Sequence, residues 1–289
     1  MSGYININGQ IVKSGEPVIR TDNRSFKYGD GLFETMRIID EHPVFFNDHL
    51  ERLYHGMEVL QLEAGPVFQK QNIRREIVRL LRASQLKNAQ VRFHVYRGGE
   101  GKYTPERNDA GFVIQLKPAK KEFVFNAKGA KVDVFENHLK PATKLARLKS
   151  ANSLLYVMAG KFKTDRKLDE AIILNTRGEL CEGVSSNLFL LMNKKLYTPD
   201  LESGCIPGVM RKQVIDLAQK GGIEVVEDAL TPDLLPRADE LFFTNAGSGV
   251  TWALSYKSRR FYNKFSSQLL GYINGMAFDE VREYESGLI

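Results

Sequence analysis

The manner in which the strand-like segments are joined limits this chain more than any other feature. Short runs of alternating apolar and polar residues recur, several of them joined by turn residues rather than by helices. Residues 4–12 alternate around Asn8-Gly9, a dipeptide suited to a two-residue hairpin turn. Residues 33–39 and 44–46 read as strands about a turn at 40–43, and residues 90–97 and 111–116 alternate again. In the second half, residues 131–137, 171–174, 187–191, 195–197, 224–227 and 240–244 have the same character, with a turn at Thr176-Arg177-Gly178. Neighbouring parallel strands need crossovers of a dozen or more residues, and the joins at 8–9, 40–43 and 192–194 are far shorter. The pattern therefore predicts two α+β lobes with mixed, largely antiparallel sheets and flanking helices, not a doubly wound parallel sheet.

Helical spacing is confined to a few places. Asn47 or Asp48 is placed to cap a helix running through Leu60, with Leu50, Leu53, Met57 and Leu60 on one face. Further helices are predicted over residues 69–84, over 150–162, and after Pro207-Gly208. Residues 117–125, with Pro118 and several lysines, read as a linker. This gives an N-terminal domain over 1–116 and a C-terminal domain over 126–289.

Composition narrows the function. With 43% hydrophobic and 26% charged residues the chain is ordinarily globular. The net charge of +6 invites a nucleic-acid partner, but basic residues are interleaved with acidic ones except over 140–149, which contains no acid. That stretch fits a phosphate or a nucleic acid equally. Two cysteines, Cys181 and Cys205, make neither a disulfide framework nor a C-x-x-C metal site, and a reducing cytoplasm is expected. The first residues lack the pattern of a signal peptide. No apolar stretch is long enough to span a bilayer. No membrane, nucleic-acid or metal partner is expected.

Several residues are placed for chemistry. Lys149 ends the basic stretch; by composition alone it is a surface lysine, yet neighbouring cations favour the neutral amine that a covalent lysine needs. Glu182 sits at a turn before an apolar strand, as a turn residue or as a ligand. The helix start at Pro207-Gly208-Val209-Met210 offers N–H groups that suit a phosphate. So does the small-residue loop Thr244-Asn245-Ala246-Gly247-Ser248-Gly249. Arg52 lies on the first long helix. Arg97-Gly98-Gly99-Glu100-Gly101-Lys102-Tyr103 is too glycine-rich for a strand or helix and reads as a loop.

Taken in order, these segments resemble the class IV (fold-type IV) aminotransferase family, which depends on pyridoxal 5'-phosphate (PLP). The resemblance rests on Tyr28-Gly29-Asp30-Gly31-Leu32-Phe33-Glu34-Thr35, His49-Leu50-x-Arg52-Leu53 and Lys149-x-x-Asn152-x-Leu154. It continues with Glu182-Gly183-x-x-x-Asn187-Leu188-Phe189 and Pro207-Gly208-x-x-Arg211. It covers nearly the whole chain. The family includes branched-chain aminotransferases, D-amino acid aminotransferases and 4-amino-4-deoxychorismate lyases. The resemblance implies that Lys149 bonds PLP and shuttles a proton, and that Glu182 pairs with the pyridine nitrogen. It gives the phosphate to Arg52, the amides of Val209 and Met210, and the loop Ala246, Gly247 and Ser248. Ala246 stands where the family usually has Thr or Ser.

Tyr28 and Phe33, with Arg97 and Lys102, are implied on the substrate side. A homodimer is implied too, with the 97–103 loop serving the neighbouring subunit's site. Thr35 stands where branched-chain enzymes generally carry Gly and the lyase carries Thr. This leans the reading towards the lyase, with an aminotransferase as the alternative. Thr251-Trp252, which replaces a common Pro-Val, and the departures in the 97–103 loop from the lyase pattern weigh against it.

Overall fold

Asn8 and Gly9 take positive φ, 49° and 87°, and close a hairpin between β1 (Tyr4–Ile7) and β2 (Gln10–Lys13). The computed structural model describes residues 3–287. The chain divides into two units. One comprises Met1–Glu122, Lys149–Asn152 and Met276–Ile289, the other Phe123–Leu148 and Ser153–Gly275.

In the first unit a short helix α1 (Arg24–Tyr28) leads through Gly29 into β3 (Gly31–Ile39) and β4 (His42–Pro43). Helices α2 (Phe46–Val59) and α3 (Lys70–Ala83) follow, then β5 (Ala89–Arg97) and β6 (Ala110–Pro118). The six strands form one antiparallel sheet in the order β2-β1-β6-β5-β3-β4. Successive strand residues face opposite sides. Leu32, Met36, Ile38, Val91, Phe93 and Ile114 are buried, with Leu53, Met57, Ile77 and Leu80 of the two helices also in the core. Phe33 and Thr35 alternate with these core residues and remain half-buried.

The stretch 44–46 is not the predicted strand. Phe45 is left-handed (φ 54°) and starts α2 without a side-chain cap from Asn47 or Asp48. Its N–H donates instead to Glu280 Oε2 at 2.7 Å. Three apolar residues in a row carry no period, so strand and helix start look alike in sequence.

In the second unit β7 (Ala130–Lys140), α4 (Leu154–Asp165), β8 (Glu170–Asn175), β9 (Leu180–Gly183), β10 (Asn187–Met192) and β11 (Lys195–Pro199) come first. Then follow α5 (Val209–Lys220), β12 (Val225–Asp228), β13 (Glu240–Asn245), β14 (Gly249–Tyr256), β15 (Arg259–Arg260) and the start of α6 (Lys264–Glu285), whose residues from Met276 on belong to the first unit. The strands lie in the order β12-β11-β10-β13-β14-β7-β8-β9, with β15 on β14. The pairs β11/β12, β14/β7 and β7/β8 are parallel and the others antiparallel. The α+β arrangement with mixed, largely antiparallel sheets is thus the one adopted. Leu188, Leu190, Leu241 and Phe243 belong to one cluster, while Phe135, Ala171 and Ile173 pack with Ala159 of α4 in another.

Two helices differ from the sequence reading. The helix predicted from 150 begins only at Leu154, because Ala151 N–H bonds to Gly31 O at 2.9 Å and Lys149 O accepts from Phe33 N–H at 2.9 Å. The segment is held as a strand-like partner of β3, with Leu32 bridged to Ser150. The 22-residue α6 lies where the sequence reading placed no helix. Its buried Leu269, Leu270, Ile273, Ala277 and Val281 carry helical spacing. Buried Glu240 accepts from Phe265 and Ser266 N–H at 2.7 and 2.9 Å, satisfying the helix start.

Candidate active site

The strand pairing just described sets Lys149 in the first unit beside β3. Its Nζ lies 4.3 Å from the Phe33 ring centroid, and the Arg92 guanidinium carbon lies 3.8 Å from the same centroid. Gly29 permits this approach. It caps α1 at φ 67°, and a Cβ there would sit 3.2 Å from the backbone of Asn152. Thr35 lies two residues after Phe33 on the same sheet face and pairs with Arg92, while Phe33 pairs with His94. His94 is held neutral, its pKa lowered to about 4 by burial and then by the Arg92 charge. Its Nε2 lies 2.9 Å from Ser25 Oγ.

Beneath that face lies a buried carboxylate. Glu34, 1% exposed, accepts from Arg52 Nε at 2.8 Å and from Arg52 Nη2 at 2.6 Å. His49 Nδ1 lies 2.8 Å from Glu34 Oε2. Burial alone would raise the Glu34 pKa. The Arg52 charge and the hydrogen bonds from His49 and Arg52 outweigh it and hold the pKa at about 2.

The other substrate-side candidates have partners of their own or lie exposed. Arg97 is buried and each of its three nitrogens donates: to Asp30, to Asn108 and to the carbonyls of Leu60 and Gln61. Arg24 also bonds Asp30, at 2.8 Å, and donates to the carbonyls of Glu100, Gly101 and Lys102. It therefore pins the glycine loop from within its own unit. Lys102 is exposed, and Tyr103, 88% exposed, lies 5.6 Å from the ring of Tyr28.

In the second unit Glu182, on β9, is 3% exposed. Its Oε1 pairs with the buried Lys140 ammonium and accepts from Tyr156 OH at 2.6 Å. Its Oε2 accepts from Ile206 N–H at 2.9 Å. Burial first, and then the Glu182 charge, push the Tyr156 pKa up, so the phenol stays protonated. The same two causes raise both thiols nearby, Cys205 to about 11. The basic stretch is thus not one surface: Lys140 faces Glu182 and Arg147 pairs with Glu202 at 2.5 Å.

Val209 and Met210 open α5, and Gly208 is its N-cap with no side-chain bond. The first turn N–H groups fall outside the helix ladder. A Cβ on Gly208 would come within 1.9 Å of Asn187 Oδ1, so this start requires glycine. Arg211 is turned away, with Nη2 donating to Pro199 O and Glu227. In the loop after β13, Gly247 N–H, Ser248 N–H and Ser248 Oγ–H all donate to Asn245 Oδ1, at 2.9, 2.8 and 3.0 Å. Two of the three amides expected at a phosphate, and the one hydroxyl, are therefore directed at Asn245. Thr244 Oγ1, at the start of that loop, is buried without a partner.

These donor sets fit PLP. In the first unit an amine beside an aromatic ring suits its aldehyde and a guanidinium its phosphate; in the second a buried carboxylate suits its ring N–H and a helix start its phosphate. The sequence reading missed Lys140, Tyr156, His94 and Arg92. Lys140 lay in the basic stretch, but nothing local marks it as the partner of Glu182. Glu34 and His49 stood inside quoted motifs without a role.

A family model described as amino-transferase class IV matches residues 31–256. An aminodeoxychorismate lyase of Bacillus subtilis is 29% identical, over 84% of this chain and 83% of its own. A branched-chain-amino-acid aminotransferase of Escherichia coli is 28% identical, over 86% and 83%. The crystal structure of an Escherichia coli branched-chain amino acid aminotransferase superposes with a TM-score of 0.85 at 24% identity. It covers 96% of this chain and 95% of that one.

Proposed function

The chain belongs to the class IV aminotransferase family, of PLP-dependent aminotransferases and lyases, and from that premise we propose that it is a 4-amino-4-deoxychorismate lyase. It would bind PLP and release p-aminobenzoate and pyruvate. The observation that carries this reading is Thr35, on the same face of β3 as Phe33, whose ring meets the Lys149 amine at 4.3 Å. A hydroxyl there can hold a proton for a departing group, which the glycine usual in branched-chain aminotransferases cannot.

Bound PLP supplies an electron sink for the pair left when the substrate loses its proton. The protein's residues do the rest. Lys149 Nζ takes the proton from the carbon bearing the substrate amine. Thr35 Oγ–H supplies one to the enolpyruvyl group as its C–O bond to the ring breaks, and loss of that group leaves an aromatic ring. Glu182 holds the cofactor's ring nitrogen with a carboxylate that Tyr156 and Ile206 fix in place. Arg52 and the amides of Val209 and Met210 hold the phosphate. Ala246 N–H assists, whereas Gly247 and Ser248 shape their loop through Asn245. Arg97 braces Asp30, Asn108 and the end of α2 rather than acting as a substrate ligand, and Arg24 holds the 97–103 loop. Tyr28, Phe33 and Lys102 remain on the substrate side, Lys102 and Tyr103 serving the neighbouring subunit of a homodimer. The free, buried Cys181 and Cys205 fit a reducing cytoplasm.

An aminotransferase acting on branched-chain or other amino acids is the second reading. It is favoured by the likeness to a branched-chain-amino-acid aminotransferase and by the burial of Arg97, which withdraws one lyase-like feature. The test supplies PLP-loaded protein with 4-amino-4-deoxychorismate and measures p-aminobenzoate and pyruvate against Lys149→Ala. Release of both that depends on Lys149 supports the lyase. No release from loaded, yellow protein rejects it, and amino donors with 2-oxoglutarate then test the second reading.

A further inference from the structure

Glu34 and His49 stand inside two sequence motifs, yet neither has been given a part in binding or reaction. Their geometry assigns one. Arg52 meets Glu34 through Nε and Nη2 together, at 2.8 and 2.6 Å. Two parallel bonds from a planar fork to a carboxylate fix the plane of the guanidinium as well as its position. A single contact would leave the side chain free to swing about its last torsions.

The carboxylate is itself held. An ionised carboxylate only accepts hydrogen bonds, so His49 Nδ1, 2.8 Å from Glu34 Oε2, must carry the proton. The ring is buried and its pKa is drawn down, first by burial and then by the charges of Arg52 and Lys149 against the pull of Glu34. A neutral ring with its proton on Nδ1 has a bare Nε2, and that atom is buried with no partner. Leaving such an atom unsatisfied costs stability. A hydrophobic residue would fill the same space without that cost, so the ring is kept for what Nδ1 does.

We propose that Glu34, steadied by His49, is a positioning residue that aims Arg52 at the cofactor's phosphate and so selects PLP over its unphosphorylated form, pyridoxal. The inference rests on the reading of Arg52 as the phosphate ligand. The paired charges of Glu34 and Arg52 also mean that the phosphate meets an oriented set of N–H donors rather than a bare cation. The selectivity therefore depends on geometry more than on net charge, and added salt weakens it little.

The test compares full-length wild type with Glu34→Gln, each stripped of cofactor and titrated separately with PLP and with pyridoxal, following the change in absorbance. In Glu34→Gln the amide nitrogen opposes one of the two Arg52 donors, and the pair of parallel hydrogen bonds is lost. PLP affinity is expected to fall tenfold or more while pyridoxal affinity changes less than threefold. A purely structural role would weaken both ligands alike, and an unchanged ratio of the two affinities would overturn the proposal. Should Glu34→Gln fail to fold, His49 supplies the second pair. His49→Phe removes the N–H and should lower the PLP-to-pyridoxal ratio, and His49→Asn, which restores a donor, should recover it; equal ratios in the two overturn it too. A wild type that binds neither ligand removes the PLP reading itself, and is distinguished from a failed inference by that result.

Discussion

Glu34 in the first unit and Glu182 in the second are both almost wholly buried, at 1% and 3% exposure, and each receives three hydrogen bonds, including those of one cation. The partners differ in kind. Arg52 is a planar fork, so Glu34 dictates how its cation is oriented. Lys140 is a compact ammonium, which supplies charge but little direction; a phenol and a backbone N–H fix Glu182 instead. Glu34 is thus suited to presenting its partner and Glu182 to being presented. They also differ in reserve: beside Glu34 stands an imidazole able to take a proton, and beside Glu182 a phenol that already holds one.

That difference in reserve can be broken by removing each cation in turn. Lys140→Met leaves Glu182 buried with only neutral donors, and should lower unfolding stability by about 3–5 kcal/mol. Adding Glu182→Gln should recover most of the loss. Arg52→Met should cost less, because His49 can become the missing cation. Loss of the Arg52 charge removes one of the causes that draw its pKa down, so that pKa would rise. A base whose folded-state pKa is raised gives stability that is complete below its unfolded value and lost as pH rises past the folded one. The Arg52→Met deficit should therefore grow as pH rises through the point at which His49 loses that proton, as chemical denaturation would reveal. A deficit flat in pH would show that His49 holds nothing in reserve.

Acid probes the same pair in the intact protein. The Glu34 pKa stands at about 2 against an ordinary 4.5. For a carboxyl depressed in this way, the stabilisation is complete above the unfolded value and is lost as pH falls from 4.5 towards 2. The amount at stake is about 3 kcal/mol, measurable as the part of the acid-limb stability change that disappears in Glu34→Gln. A smaller effect sharpens the picture on the other side. Tyr156→Phe removes one hydrogen bond to an ionised group while Lys140 keeps the charge balanced, and should cost about 2 kcal/mol. A loss as large as that of Lys140→Met would mean that Glu182 depends on its neutral donors more than on its cation.

Much of this was legible in the sequence, unevenly so. Alternation and short turns carried much of the sheets, because the period of two survives burial on one face, as in the run from Ala89 to Val95. Boundaries set by distant partners were not legible. Phe45 starts α2 because Glu280 receives its N–H, and Ser150 stays out of α4 because β3 takes the backbone around it. At the site, Lys149, Glu182 and Arg52 stood out through motifs. Their supports did not: Lys140 and Glu182 are 42 residues apart, and nothing around either residue announces the other.

The smallest effect expected tests how far a loop of small residues can be read as a phosphate cradle. Gly247 and Ser248 point their amides at Asn245 Oδ1, and the Ser248 hydroxyl joins them. Three donors on one acceptor share its lone pairs, and Ser248 is exposed, so water readily replaces the hydroxyl. Ser248→Ala should change stability by less than about 0.5 kcal/mol, and PLP affinity less than twofold. Asn245→Ala should do more, since it releases two amides that hold the turn together. If Ser248→Ala instead weakens PLP tenfold while leaving pyridoxal untouched, the hydroxyl leaves Asn245 for the phosphate when the cofactor binds. The loop would then belong with Arg52, as a group that meets the ligand directly, and no longer with the fixed supports of Glu182.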